Sequence, residues 1–248
     1  MKHAPTRQLF TEDAYLTTTE AEVIQVTDEG HIILDQTPFY ANSGGQPGDT
    51  GTLERSDGSM ITICDTVFAP GGKETILHQA TTEAPLPQTG EKLIAHIDWA
   101  QRYDLMRMHT ACHLLSVICP RPITGASVSL TDSRIDFDMS EPADKSELTE
   151  GLMDLVSANH PVFTRCITRE ELDANPGLVK SKNVKPPQNI DHIRLVCIGE
   201  DAVVDSQPCG GTHVSETGEI DQIHIGKIEK KGRENRRMRL RFGPSPSS

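Results

Sequence analysis

No stretch of this 248-residue sequence approaches the roughly 20 consecutive apolar residues that cross a bilayer. Mean hydropathy is −0.41, so a soluble globular protein is expected. The opening residues, MKHAPTRQLFTEDAYL, lack the apolar core of a secretory signal. No C-x-x-C pair and no framework spacing occur among Cys64, Cys112, Cys119, Cys166, Cys197 and Cys209. Scattered cysteines of this kind read as reduced thiols, so a cytoplasmic location with no membrane partner is expected. There is no internal repeat, and nothing in the sequence fixes an oligomeric state.

Positive charge is also in short supply. The net charge of −12 argues against a nonspecific nucleic-acid binder. The exception is residues 227–241, KIEKKGRENRRMRLR, where eight Lys or Arg face two Glu. A single basic patch on an acidic body can still meet phosphates in one orientation. In RMRLRF, however, Met238, Leu240 and Phe242 alternate with Arg237, Arg239 and Arg241, as in a half-buried strand.

Residues 20–79 read as mainly β, with AEVIQVT, HIILDQT and MITICDTVF separated by turn clusters. ATTEAPLPQTG (80–90) reads as a loop between subdomains, followed by a strand in EKLIAHID. Asp98 is a good N-cap for a helix of about 20 residues ending before Pro120. Further on, SRIDFDM reads as a strand and SELTEGLMDLVSANH as an amphipathic helix. Thr168 caps a short helix in REELDA, and HIRLVCIG and AVVDS are strands. The expected class is α+β. A β-rich, β-barrel-like subdomain (1–90) precedes an α+β domain (91–243) and a disordered tail (244–248).

The chemistry starts at HTACH. His109 and His113, four apart on a helix, can aim at one point. Chance alone supplies about 0.4 such pairs in a chain this rich in histidine, so the motif needs company. CGGTH supplies it, adding Cys209 and His213 with Gly210, Gly211 and Thr212 between them. A Cys-His3 set suits zinc. HTACH lacks the glutamate of H-E-x-x-H, and the deaminase P-C-x-x-C is absent, so neither chemistry is expected.

HTACHLL, CGGTH, TGEI and IEKKGRENRRMRLRF together resemble the editing domain of alanyl-tRNA synthetases and of the free-standing AlaX proteins. TPFYANSGGQPGDTG (37–51) resembles the glycine-rich motif of the medium-length AlaX form, and RIDFD another family segment. The pieces cover residues 37–242. One departure is Ala41-Asn42, where the family more often has proline. The resemblance implies one Zn2+ per chain on His109, His113, Cys209 and His213. It also implies a role in catalysis for Gln46, following Gly44 and Gly45. The implied activity is zinc-dependent deacylation of mischarged tRNA(Ala), chiefly Ser-tRNA(Ala), with Gly-tRNA(Ala) as a second substrate.

Read from spacing alone, Gly44-Gly45 makes a tight turn with Gln46 solvated at its end. Lys230, Lys231, Arg236 and Arg237, flanking the turn at 232–235, are the expected phosphate contacts. Ser127 and Ser129 are candidates for reading a substrate hydroxyl. Two alternatives stay open: a threonyl-type editing domain, and a non-catalytic RNA-binding module with a structural zinc.

Overall fold

The computed structural model describes residues 5–81, 85–184, 190–200 and 203–245. These divide into two compact units, Met1–Asp104 and Leu105–Ser248. The expected tail falls mostly on residues 246–248, outside the described ones.

The first unit contains β1 (Arg7–Gln8), β2 (Thr18–Val26), β3 (His31–Leu34), β4 (Gln36–Thr37), β5 (Gly51–Glu54), β6 (Met60–Phe68), β7 (Ile76–Ala80) and β8 (Lys92–Ile97). Six of them close a barrel in the order β2-β3-β7-β6-β5-β8. Alternation drives it. In β6, Ile61 and Ile63 point inward while Met60, Thr62 and Cys64 are exposed. With Val23, Ile32, Leu34, Phe39, Leu53, Leu93 and Ala95 they fill the interior.

The expected division at residue 90 falls inside this barrel. Strand β8 pairs with β2 (Thr18↔His96) and with β5 (Gly51↔Ile97), so it closes the barrel and residues 80–90 connect two barrel strands. Without β8 both neighbours would be bare edges. Strand β5, only four residues long, was hidden by the glycine at its start. A Cβ on Gly51 would lie 2.1 Å from the His96 carbonyl oxygen, so the barrel's closure requires glycine there.

Helix α1 (Trp99–Ile118) follows the barrel. The Asp98 carboxylate accepts from the Gln101 amide at 3.1 Å, as a cap should. The second unit continues with β9 (Ile123–Ser127), β10 (Ser133–Asp138), α2 (Lys145–Ser157), β11 (Val162–Thr168), α3 (Arg169–Ala174), β12 (His192–Ile198), β13 (Asp205–Pro208), β14 (Ile223–Gly232) and β15 (Asn235–Phe242). They form a four-stranded sheet, β14-β15-β10-β9, and a three-stranded sheet, β11-β12-β13. Thr168 and Glu171 form a full capping box on α3. Among the described residues, no helix is long and apolar enough to cross a membrane.

The stretch of α1 from Met108 to Ser116 is buried on every side. A helix enclosed all round normally carries apolar residues. Here the enclosed stretch includes His109, Thr110, His113 and Ser116. Buried polar groups need partners, and those partners define the site.

Candidate metal centre

His109 and His113 stand one turn apart on α1, and Cys209 and His213 on the loop after β13. Their ligand atoms all lie within 4.8 Å of one another. The three imidazole centroids are 4.3 to 5.4 Å apart, and each histidine is 6% exposed. The Cys209 sulfur lies 3.5 Å from His109 Nε2 and 3.3 Å from His213 Nε2.

These distances test the fit to a metal. Zn–S and Zn–N bonds of about 2.3 and 2.05 Å at a tetrahedral angle set S···N edges of about 3.5 Å. The sulfur-to-nitrogen distances of Cys209 to His109 and His213 are close to that edge. The cluster's donors are three nitrogens and one sulfur, a set of suitable softness for zinc.

The surroundings aim the rings. His113 Nδ1 donates to Asp205 Oδ2 at 3.1 Å, which turns Nε2 to the cluster. Thr110 Oγ1 spends its proton on the Met106 carbonyl, so it accepts from His213 Nδ1 at 3.1 Å and from the Val214 amide. The Gly211 amide donates to the Cys209 sulfur at 3.4 Å. Arg194 Nη1 donates to the carbonyls of Cys209 and Gly211, at 2.7 and 3.0 Å, and pins the loop. Neither Gly210 nor Gly211 has positive φ; Gly211 and Thr212 are buried and Gly210 is exposed.

Burial opposes ionisation of Cys209, but facing His109 and His213 it is held well below the ordinary thiol range. Burial, then the neighbouring His109, lowers His213 to about 3. Burial would lower His113 as well; its hydrogen bonds to Asp205 and Cys209 instead raise it to about 9. One thiolate among crowded imidazoles, two of them aimed by Nδ1 partners, is a cation-binding arrangement.

Gly44 and Gly45 adopt φ of +59° and +85°. Ser43 and Gln46 exchange both backbone hydrogen bonds across them, at 3.1 and 3.0 Å. The tight turn is therefore present. Gln46 is not solvated at its end, however; it is fully buried. Asp49, which closes this loop, takes the Tyr40 amide at 2.6 Å and Arg102 Nε at 2.9 Å. It is a structural anchor within the first unit.

The basic hairpin departs from expectation. Arg236 shares the inward phase of Met238 and Leu240 and is 8% exposed. Its guanidinium donates to the carbonyls of Ser140, Gly232 and Asn235. Arg237 is paired to Asp136 at 2.8 Å and Lys231 to Glu229 at 3.4 Å. Arg239 and Arg241 both reach Asp132. Most of the strip is thus paired with Asp132, just before β10, Asp136 on β10 and Glu229 on β14; Lys230 is exposed on β14. Ser129 is a turn residue, its hydroxyl accepting from the Asp132 amide.

Sequence reasoning missed Asp205, Lys180, Gln207, Thr110 and Arg194. Asp205 and Gln207, two apart on β13, share a face by strand period and lie just ahead of Cys209. That spacing was the available signal.

The profile of a family described as tRNA synthetases class II (A) matches residues 8–101. That of the Threonyl and Alanyl tRNA synthetase second additional domain matches residues 193–239, which include Cys209 and His213. Both matches are to domains described for aminoacyl-tRNA synthetases. The alanine–tRNA ligase of Pyrobaculum calidifontis is 36% identical over 235 residues, 91% of this chain but 25% of the ligase. The chain spans about a quarter of the length of such ligases. The alanyl-tRNA editing protein AlaX-M of Methanosarcina acetivorans is 36% identical over 94% of this chain and 97% of its own. That of Saccharolobus solfataricus is 32% identical, with the same coverage. The chain belongs to the AlaX-M family of alanyl-tRNA editing proteins.

Proposed function

We propose that this chain is a zinc-dependent deacylase of mischarged tRNA(Ala), acting chiefly on Ser-tRNA(Ala) and secondarily on Gly-tRNA(Ala). The observation that carries this reading is the convergence of His109, His113, Cys209 and His213, whose ligand atoms all lie within 4.8 Å of one another. Full-length similarity to proteins named for alanyl-tRNA editing supplies the substrate.

The bond to be cut is the ester between an amino acid and the terminal ribose. Bound zinc supplies Lewis-acid polarisation, of a carbonyl or of a water. The chain's residues do the rest. Thr110 and Asp205 fix the His213 and His113 rings, and Arg194 and the Gly211 amide hold the Cys209 thiolate. The Gly-Gly-Gln context of Gln46 supports a role for this residue in the activity. A site that hydrogen-bonds the serine hydroxyl rejects alanine by up to about 10^4 to 10^5-fold.

One observation favours a second reading. All four donors converge, and four protein ligands close the shell, as in a structural zinc of a non-catalytic RNA-binding module. Deacylation of Ser-, Gly- and Ala-tRNA(Ala), with and without chelator, decides. Zinc-dependent loss of serine with Ala-tRNA(Ala) spared supports the proposal. No hydrolysis, with unfolding on chelation, supports the structural zinc. Faster hydrolysis on mischarged tRNA(Thr) indicates the threonyl type.

A further inference from the structure

The Asp205 side chain is fully buried, and both its oxygens are engaged. Oδ2 accepts from His113 Nδ1 at 3.1 Å and from Gln207 Nε2 at 2.8 Å. Oδ1 receives the Lys180 ammonium. Lys180 Nζ also donates to Ser116 Oγ at 3.0 Å, and Ser116 Oγ donates to the His113 carbonyl at 2.7 Å. Lys180 is therefore tied twice to His113, through the ring's hydrogen-bond partner and through its backbone. Asp205, Lys180, Gln207 and Ser116 all lie outside the Cys-His3 set.

A buried carboxylate costs several kcal/mol unless it is paired and hydrogen-bonded. Here the ion pair holds the carboxylate in place, and the carboxylate holds the imidazole in the tautomer whose Nε2 lone pair faces the cluster. Carboxylates that accept the far N–H of a ligating histidine orient the ring and strengthen the ligand, and their loss typically costs 10- to 100-fold in metal affinity. We infer that Lys180 and Asp205 are a positioning pair for His113, with Lys180 setting the place and charge of Asp205 from the segment before β12. This inference rests on the metal-centre reading.

Lys180 is 23% exposed in its side chain and lines an open cavity of about 610 Å3 with Ser116 and Val204. It can therefore be replaced without opening the core.

The test measures zinc affinity by chelator competition and the visible spectrum of the cobalt-substituted protein. It uses the wild type, Asp205→Ala, Asp205→Asn, Lys180→Met and Lys180→Arg, with metal-free melting curves as a control for folding. Asp205→Ala is expected to lose 10- to 100-fold in affinity with an altered cobalt spectrum. Asp205→Asn, whose amide oxygen still accepts from Nδ1, should lose less. Lys180→Met should lose several-fold, and Lys180→Arg should restore it. If Asp205→Ala fails to fold, the lysine pair decides. Wild-type affinity and spectrum in Lys180→Met, or no rescue by Lys180→Arg, overturns the positioning role. A wild type that binds no zinc overturns the metal centre itself.

Discussion

Arg102 and Asp49 form an ion pair with side chains 0% and 1% exposed, across 53 residues of chain. The guanidinium also donates to the Ala14 and Pro38 carbonyls at 2.9 and 2.6 Å, so it fastens three segments of the first unit. Arg102→Met leaves a buried carboxylate without its cation. It should cost about 3 to 5 kcal/mol in urea unfolding. A loss below about 1 kcal/mol, the worth of an exposed pair, would contradict this role.

Purified protein should carry about one zinc per chain, as for Cys-His sites of this kind. His109→Ala combined with His113→Ala should abolish it. Full zinc in the double variant, by atomic absorption, would place the metal elsewhere.

Gln46→Ala should slow deacylation while zinc content stays at the wild-type level. Because Gln46 is buried, truncation should also cost about 1 to 3 kcal/mol of stability, so rates must be read well below the melting temperature. An unchanged rate returns Gln46 to a structural part of the turn.

Lys230→Ala with Lys231→Ala should weaken tRNA binding mainly at low salt. Each lost phosphate contact should reduce the salt slope by about 0.7 to 0.9. The effect should be equal for charged and uncharged tRNA, since phosphates carry no information on the amino acid. Arg236→Ala should behave differently, lowering the melting temperature and leaving the slope alone. If Arg236→Ala shifts the slope and not the stability, its inward placement is refuted.

Asp205, buried but bonded to His113 and Lys180, is held at about 2, against about 4 when unfolded. Its contribution to stability is present above about pH 4 and is lost as pH falls toward 2. His113, raised to about 9 from about 6.5, contributes below pH 6.5 and loses that contribution as pH rises through 9. Chelated protein should therefore lose melting temperature between about pH 6.5 and 9. Zinc-loaded protein should not, because a ligating histidine is already neutral. Parallel alkaline loss in both forms would detach His113 from the metal.

The clustering of His109, His113, Cys209 and His213 was legible because they come as two short motifs with fixed spacing. Helix α1 was legible from Asp98 to Pro120, and α3 from Thr168, because capping is local chemistry. The barrel's extent was not. Strand β8 belongs to the first unit only through pairing with β2 and β5, which no local pattern records. Strand β11 escaped because Phe163 to Cys166 are all exposed, leaving no alternation to read. Arg236 was misjudged for a different reason: its parity with Met238 and Leu240 was visible, but its charge suggested the outer face.

One hundred residues separate His109 from Cys209. In a zinc finger a short loop brings the ligands together, and metal can nucleate folding from the unfolded chain. Here α1 and the loop after β13 must first be set side by side by everything between them. During synthesis the helix leaves the ribosome long before its partner loop exists. At about 5 to 20 residues per second, some 5 to 20 seconds pass before the last donor is made. Any metal taken by these four residues can therefore be loaded only late in the life of the chain, after the fold has brought α1 and the loop together.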